Sequence, residues 1–104
     1  MSKKYDERWF IDRMKKKLYV SVSKHNVSYE AYLFYHDDID DSLIPIEHLS
    51  QLPNPLLLQT YQHLDLYNND WIVGIVIEED TRELLYEIWL KNGKAIVYEM
   101  YVDL

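Results

Sequence analysis

Residues 83–102, ELLYEIWLKNGKAIVYEMYV, decide the fold class. Two alternating runs flank Asn92-Gly93, and the type I′ turn that joins twisted strands needs positive φ at both central residues, which Asn and Gly adopt most readily. The stretch therefore predicts a hairpin of strands 83–91 and 94–102. Leu84, Tyr86, Ile88 and Leu90 share one face and meet Ile96, Tyr98, Met100 and Val102 across it. The opposite face carries Glu83, Glu87, Trp89, Glu99 and Tyr101.

Working outward, 71–78 reads as a third strand ahead of this hairpin. In PNPLLLQTYQHLDLYNN, Asn54 is a natural N-cap and Pro55 a natural first helical residue. Leu57, Leu58, Tyr61 and Leu64 then form an apolar stripe, so a helix is expected until Asn68 and Asn69. The polar run HDDIDDS, 36–42, is a loop or a helix entry, and Pro45 opens a short turn or helical piece to Leu52. Val27, Tyr29, Ala31, Leu33 and Tyr35 alternate with Ser28, Glu30, Tyr32, Phe34 and His36. Leu18, Val20 and Val22 alternate with Tyr19, Ser21 and Ser23. These two runs predict a second hairpin, turning at His25 and Asn26. Before it, Ser2 caps a helix to about Lys16, with Tyr5, Trp9, Phe10 and Met14 on one side. The expected order is α-β-β-α-β-β-β, an α+β fold whose antiparallel sheet is packed by two helices on one side.

The 104 residues fit one domain, 1–104, and 48% apolar content suffices for a core. Only two glycines and three prolines occur, so no flexible linker is visible. The absence of cysteine excludes a disulfide scaffold and any thiolate ligand or nucleophile. The longest apolar run, 71–77, falls far short of the roughly 20 residues that a membrane helix needs. The N-terminus has lysines without an apolar stretch behind them, unlike a secretory signal. A soluble cytoplasmic protein is expected.

Charge is divided by position. Residues 1–29 carry eight Lys or Arg against three acids, and residues 30–104 carry three against fifteen, giving a net charge of −7. A basic head made of Lys3, Lys4, Arg8, Arg13, Lys15, Lys16 and Lys17, with Tyr5 and Trp9 for stacking, could meet nucleic acid phosphates. The acidic body would repel the same polyanion, so these cations are expected to be solvated or to pair with acids of this chain or a second copy. No direct nucleic acid contact is expected.

Asp37, Asp38, Asp40 and Asp41, beside His36, supply hard-cation oxygens, but an EF-hand alignment puts Leu43 at the turn glycine and Leu49 at the bidentate glutamate. A solvated loop is the expectation, with no metal and no cofactor. His25, His36, His48 and His63 show no i, i+4 spacing, and His63 is read as an exposed helix residue. Asp70, Glu83, Glu87 and Lys91 sketch only a loose carboxylate–lysine site. No serine lies in a nucleophile elbow and no phosphate loop is present. The chain is therefore read as not an enzyme.

Alternate side chains on a strand stand about 6.7 Å apart, near the phosphate spacing of a nucleic acid strand. Glu83, Glu87 and Glu99, extended by Glu78, Glu79 and Asp80 and by the Asp37–Asp41 loop, could imitate a phosphate track. Tyr19, Tyr32, Trp89 and Tyr101 fall on predicted outward faces and supply interface aromatics; the bland alternative for these aromatics is a second buried sheet face or a homodimer contact. The leading expectation is a protein-binding module that inhibits or regulates a basic, nucleic-acid-handling protein. In size and charge the chain resembles the small acidic proteins that phages and mobile elements direct against host defences, such as anti-CRISPR and DNA-mimic inhibitors, a likeness of composition without a shared motif. A homo-oligomeric structural or adaptor protein is the alternative, and a metal-dependent enzyme the third reading.

Overall fold

The computed structural model describes residues 5–22, 26–41 and 43–101. The fold is α+β: helix α1 (Glu7–Leu18), strand β1 (Val27–Phe34), a 3-10 turn at His36–Asp38, short helix α2 (Ile46–Leu49), then strands β2 (Leu56–Leu64), β3 (Asp70–Ile77), β4 (Leu84–Lys91) and β5 (Lys94–Met100). The strands form one antiparallel sheet in the order β1-β2-β3-β4-β5. No helix of the described residues is long and apolar enough to cross a membrane.

The hairpin of β4 and β5 forms as the sequence predicts, with Asn92 at φ 53 and Gly93 at φ 83. Lys91 pairs with Lys94 and Leu90 with Ala95; the register then shifts, so that Trp89 meets Val97 and Ile88 meets Tyr98. Ile96 is the extra residue of this bulge. Val102 lies outside the described residues.

Three expectations are corrected. The segment after Pro55 is strand β2, not a helix. Leu57, Leu58, Tyr61 and Leu64 fit both periods, but Leu64 is exposed while the alternating Leu56 and Leu58 are buried on one face and Gln59, Tyr61 and His63 on the other. Two neighbouring strands on either side pair with it along its length, which overrides a local helical pattern.

The run from Leu18 is not a strand in its described part. Phe10, Met14 and Leu18 stand at i, i+4 and i+8, so the helical stripe continues through Leu18. Tyr19 then ends α1 in the left-handed conformation at φ 59, with its N–H bonded to the Met14 carbonyl. Val20 and Val22 pack onto the core beneath α1 without regular structure. Ser23 and His25 lie outside the described residues. The expected partner of β1 is thereby lost, and β1 pairs with β2 instead.

The helix cap is Asp6, whose carboxylate accepts the Trp9 N–H at 3.0 Å; Ser2 lies outside the described residues. Glu7 in the first turn and Lys15, Lys16 and Lys17 in the last complement the helix dipole.

The sheet is covered on both faces rather than one. Phe10 and Met14 of α1 pack on Tyr61, Trp71, Val73, Ile75, Ile77 and Trp89. On the far side the β1–β2 connection lays Ile39, Ile44, Leu49 and Leu52 over Leu56, Leu58, Val76, Tyr86, Ile88 and Leu90. β3 sits between these layers and is buried on both sides, which accounts for its unbroken apolar run.

Candidate functional site

The acids expected to form one track are divided into two groups by the sheet. Glu87 and Glu99 are directly opposed on β4 and β5, on the face beneath α1. Two like charges at such a pair repel unless cations are placed between them. Glu87 is fully buried, and its carboxylate accepts from Arg13 Nε at 3.0 Å and Lys17 Nζ at 3.0 Å. Lys17 also bridges to Glu99.

The Tyr101 hydroxyl completes the group. It accepts from Arg13 Nη2 at 3.0 Å and lies within hydrogen-bond reach of Glu87 Oε2 and Glu99 Oε2. One hydroxyl proton serves one carboxylate at a time, and Glu99 is the nearer. Lys17 and Tyr101 hold the Glu99 carboxyl below the ordinary glutamate range, while burial and the bond to Glu99 push the Tyr101 phenol up. With two cations and two anions the cluster is neutral.

Glu87 therefore serves the interior, with Glu99 and Tyr101 partly exposed at its margin. Trp89 is also fully buried, stacked on Phe10 at 6.0 Å between ring centroids, and its indole N–H has no acceptor among the described residues. Glu87 and Trp89 offer no surface to a partner while α1 stays in place, which corrects their placement on an outward face; for Trp89 the second buried sheet face is the reading realised, whereas Tyr19, Tyr32 and Tyr101 are exposed. The basic head largely answers the chain's own acids: Arg13 and Lys17 hold Glu87 and Glu99, and Lys16 pairs with Asp12 one turn away. Lys3 and Lys4 lie outside the described residues.

The other eight acids lie on connections at a single end of the sheet. Phe34 pairs with Leu56, Leu57 with Ile77, and Ile77 with Leu84. The end of β1, the start of β2 and the β3–β4 turn are therefore neighbours, with adjacent strands about 4.8 Å apart. Asp37, Asp38, Asp40 and Asp41 follow β1, and Glu78, Glu79, Asp80 and Glu83 surround the β3–β4 turn. His36 ties the first loop down, its backbone N–H to Asn54 Oδ1 at 3.0 Å and its Nε2 to the Pro53 carbonyl at 2.6 Å. Pro53 and Pro55 then share a cleft of about 270 Å³ with Glu78, Glu79 and Asp80. His36 thus ties the first acidic loop to the Pro53–Pro55 segment, which lines a cleft with the second.

Within the second loop Glu78 has a local duty. Its carboxylate accepts the Thr81 and Asp80 N–H groups at 2.8 Å and 3.0 Å and the Thr81 hydroxyl at 3.1 Å, and these bonds, the Thr81 N–H foremost, hold its carboxyl below the ordinary value. Asp37, Asp38, Asp41, Glu79, Asp80 and Glu83 are exposed. Arg82, at φ 63 in the turn, is the one Lys or Arg among the described residues of these loops.

The remaining candidates do not converge. Among the described residues no three His, Asp or Glu side chains group as a metal ion would require. Asp70 accepts from Gln62 at 2.7 Å and Lys91 lies over the Trp71 ring at 5.1 Å, both at the opposite end of the sheet from Glu83. The carboxylate–lysine sketch is thereby dispersed. His63 is buried on β2, not exposed on a helix, with Nδ1 3.2 Å from the Asn26 carbonyl. His48 Nδ1 meets the Tyr86 hydroxyl at 2.8 Å. His25 lies outside the described residues.

One residue of structural importance has no sequence motif. Asp65 in the β2–β3 connection accepts the Tyr67 and Asn69 N–H groups at 2.8 Å each and the Trp71 indole N–H at 3.0 Å. These bonds, that of Trp71 foremost, lower its pKa to about 2. The only available sign is an Asp four residues before an Asn in a turn-rich segment.

No known family model, curated protein or solved structure matches the chain.

Proposed function

We propose that the chain is a non-enzymatic protein-binding module whose acidic end docks on the basic surface of a nucleic-acid-handling protein and regulates or inhibits it. The observation that carries this reading is the gathering of Asp37, Asp38, Asp40, Asp41, Glu78, Glu79, Asp80 and Glu83 on two neighbouring loops at one end of the sheet, with Arg82 as their one Lys or Arg among the described residues. Glu87 leaves the docking surface because it is buried against Arg13 and Lys17, and Glu99, although partly exposed, is neutralised by Lys17. The docking acids thus lie on the connections that leave one end of the sheet, outside its strands.

An anionic end of this kind would compete with nucleic acid for a basic groove, which is the DNA-mimic form of the proposal. The protein then resembles the small counter-defence inhibitors of phages in mode as well as in composition. The partner is a protein and not nucleic acid, whose phosphates the eight acids would repel. Capture of a partner on immobilised protein, with and without Asp37→Asn, Asp38→Asn, Glu79→Gln and Asp80→Asn together, tests the reading. The intact protein should retain a basic nucleic-acid enzyme that moderate salt releases, and the fourfold variant should not. Equal retention by both would remove the acidic end from binding.

A further inference from the structure

We infer that the free edge of β1 is a self-association surface on which a second copy of this chain pairs antiparallel, joining two five-stranded sheets into one of ten. The two outer strands differ in how they meet solvent. β5 is blunted as outer strands usually are: Lys94 opens it, Glu99 interrupts it, and the bulge at Ile96 breaks its register. β1 has neither the lysine nor the bulge. Its register with β2 runs without a break over eight pairs, 27–35 contains no Lys, Arg or Pro, and Glu30 is its single charge. Its outer side has no strand neighbour among the described residues.

The side chains favour a second copy over an unrelated strand, because the sequence is complementary to itself. Val27, Tyr29, Ala31, Leu33 and Tyr35 lie on one face. Residues opposed in an antiparallel pair share a face, so a two-fold axis at Ala31 sets Tyr29 against Leu33 and Val27 against Tyr35, each apolar on apolar. On the other face it sets Glu30 against the Tyr32 hydroxyl and keeps the two copies of Glu30 from meeting. An axis at Glu30 would oppose the two carboxylates, and axes beyond Ala31 shorten the paired length. Exposure fits this arrangement: α1 and its core half-cover Val27 and Tyr29, whereas Leu33 and Tyr35 are 54% and 59% exposed. The small Ala31 at the axis lets the backbones approach.

Nine paired residues make a modest contact, and each copy carries −7, so the dimer is of weak to intermediate affinity and is strengthened by salt. That sign is opposite to the salt response of the acidic end, so the two proposals stand or fall separately. Sedimentation velocity over a wide protein concentration range, at low and high salt, is expected to show monomers passing to dimers and more dimer at high salt. Leu33→Lys should remain monomeric with an unchanged melting temperature, since Leu33 is exposed in the monomer. The chain has no cysteine, so single cysteines report the register. Ala31→Cys should oxidise to a disulfide dimer, while Ser28→Cys, about 20 Å from its copy in this arrangement, should not. A monomer at every concentration, dimers undiminished by Leu33→Lys, or equal cross-linking at 28 and 31 would overturn the inference.

Discussion

Glu87 and Glu99 face each other across β4 and β5, and Lys17 of α1 joins the two carboxylates. The long-range charge asymmetry of the chain is resolved at this point: part of the basic N-terminal segment exists to neutralise acids some seventy residues later. The same contact orients α1 over the sheet, since Arg13 and Lys17 lie one turn apart on the helix and reach the same buried carboxylate.

Glu87→Gln should destabilise the fold by about 2–3 kcal/mol, because it leaves Lys17 and Arg13 over a buried neutral amide. Lys17→Met should cost less, as Arg13 still bonds Glu87. Glu99→Gln should cost least, since Glu99 is partly exposed. Urea unfolding of the three variants checks the order. Charge reversal at Glu87 or Glu99 should therefore show first as lost stability, which makes those positions unsuitable reporters of partner binding.

Acid should unfold the protein through carboxylates held below their ordinary values. A depressed pKa contributes stability that is present above the unfolded value and lost as pH falls through the folded one. Glu99 and Glu78 are lowered from 4.5 and Asp65 from 3.8 to about 2. The melting temperature should thus fall from about pH 4.5 downward and reach its floor near pH 2. Asp65→Asn should flatten that profile between about pH 3.8 and 2, and Glu99→Gln should reduce the fall that begins near pH 4.5.

Tyr19 closes α1 at φ 59 although it is not glycine, and its side chain is 89% exposed. Left-handed backbone disfavours a residue with a Cβ, and little packing is lost here. Tyr19→Gly should stabilise the protein by about 0.5–1 kcal/mol. Tyr19→Val, β-branched at positive φ, should destabilise it by a similar amount, and thermal melts of both variants read the sign.

The legible parts of this fold were those with local chemistry. Asn92-Gly93 announced its hairpin because two residues alone satisfy the turn, and the alternation of 27–35 marked a strand whatever its partner. The partner was not legible. Leu18 belongs to both a helical and an alternating pattern, and only the packing of Phe10, Met14 and Leu18 along one helix stripe decides between them. Leu57, Leu58, Tyr61 and Leu64 were ambiguous for the same reason, and long-range pairing with β1 and β3 settles the segment as a strand. The unbroken apolar run 71–77 did hold the sign of a sheet covered on both sides. The alternation in 83–102, with Glu87 and Glu99 on one face, masked it, because their neutralising cations lie on α1. The acidic loops were visible as composition, but their shared end of the sheet follows from strand order, which no local pattern encodes.

Docking through the acidic loops is tested by capture from cell lysate on tagged protein, eluted in steps of rising salt and identified by mass spectrometry, beside the variant neutralised at Asp37, Asp38, Glu79 and Asp80. A basic nuclease, polymerase or other nucleic-acid enzyme should leave the intact protein at moderate salt, be displaced by DNA, and be absent from the variant. Recovery of the bait alone, or of the same proteins on both at the same salt, would contradict such docking.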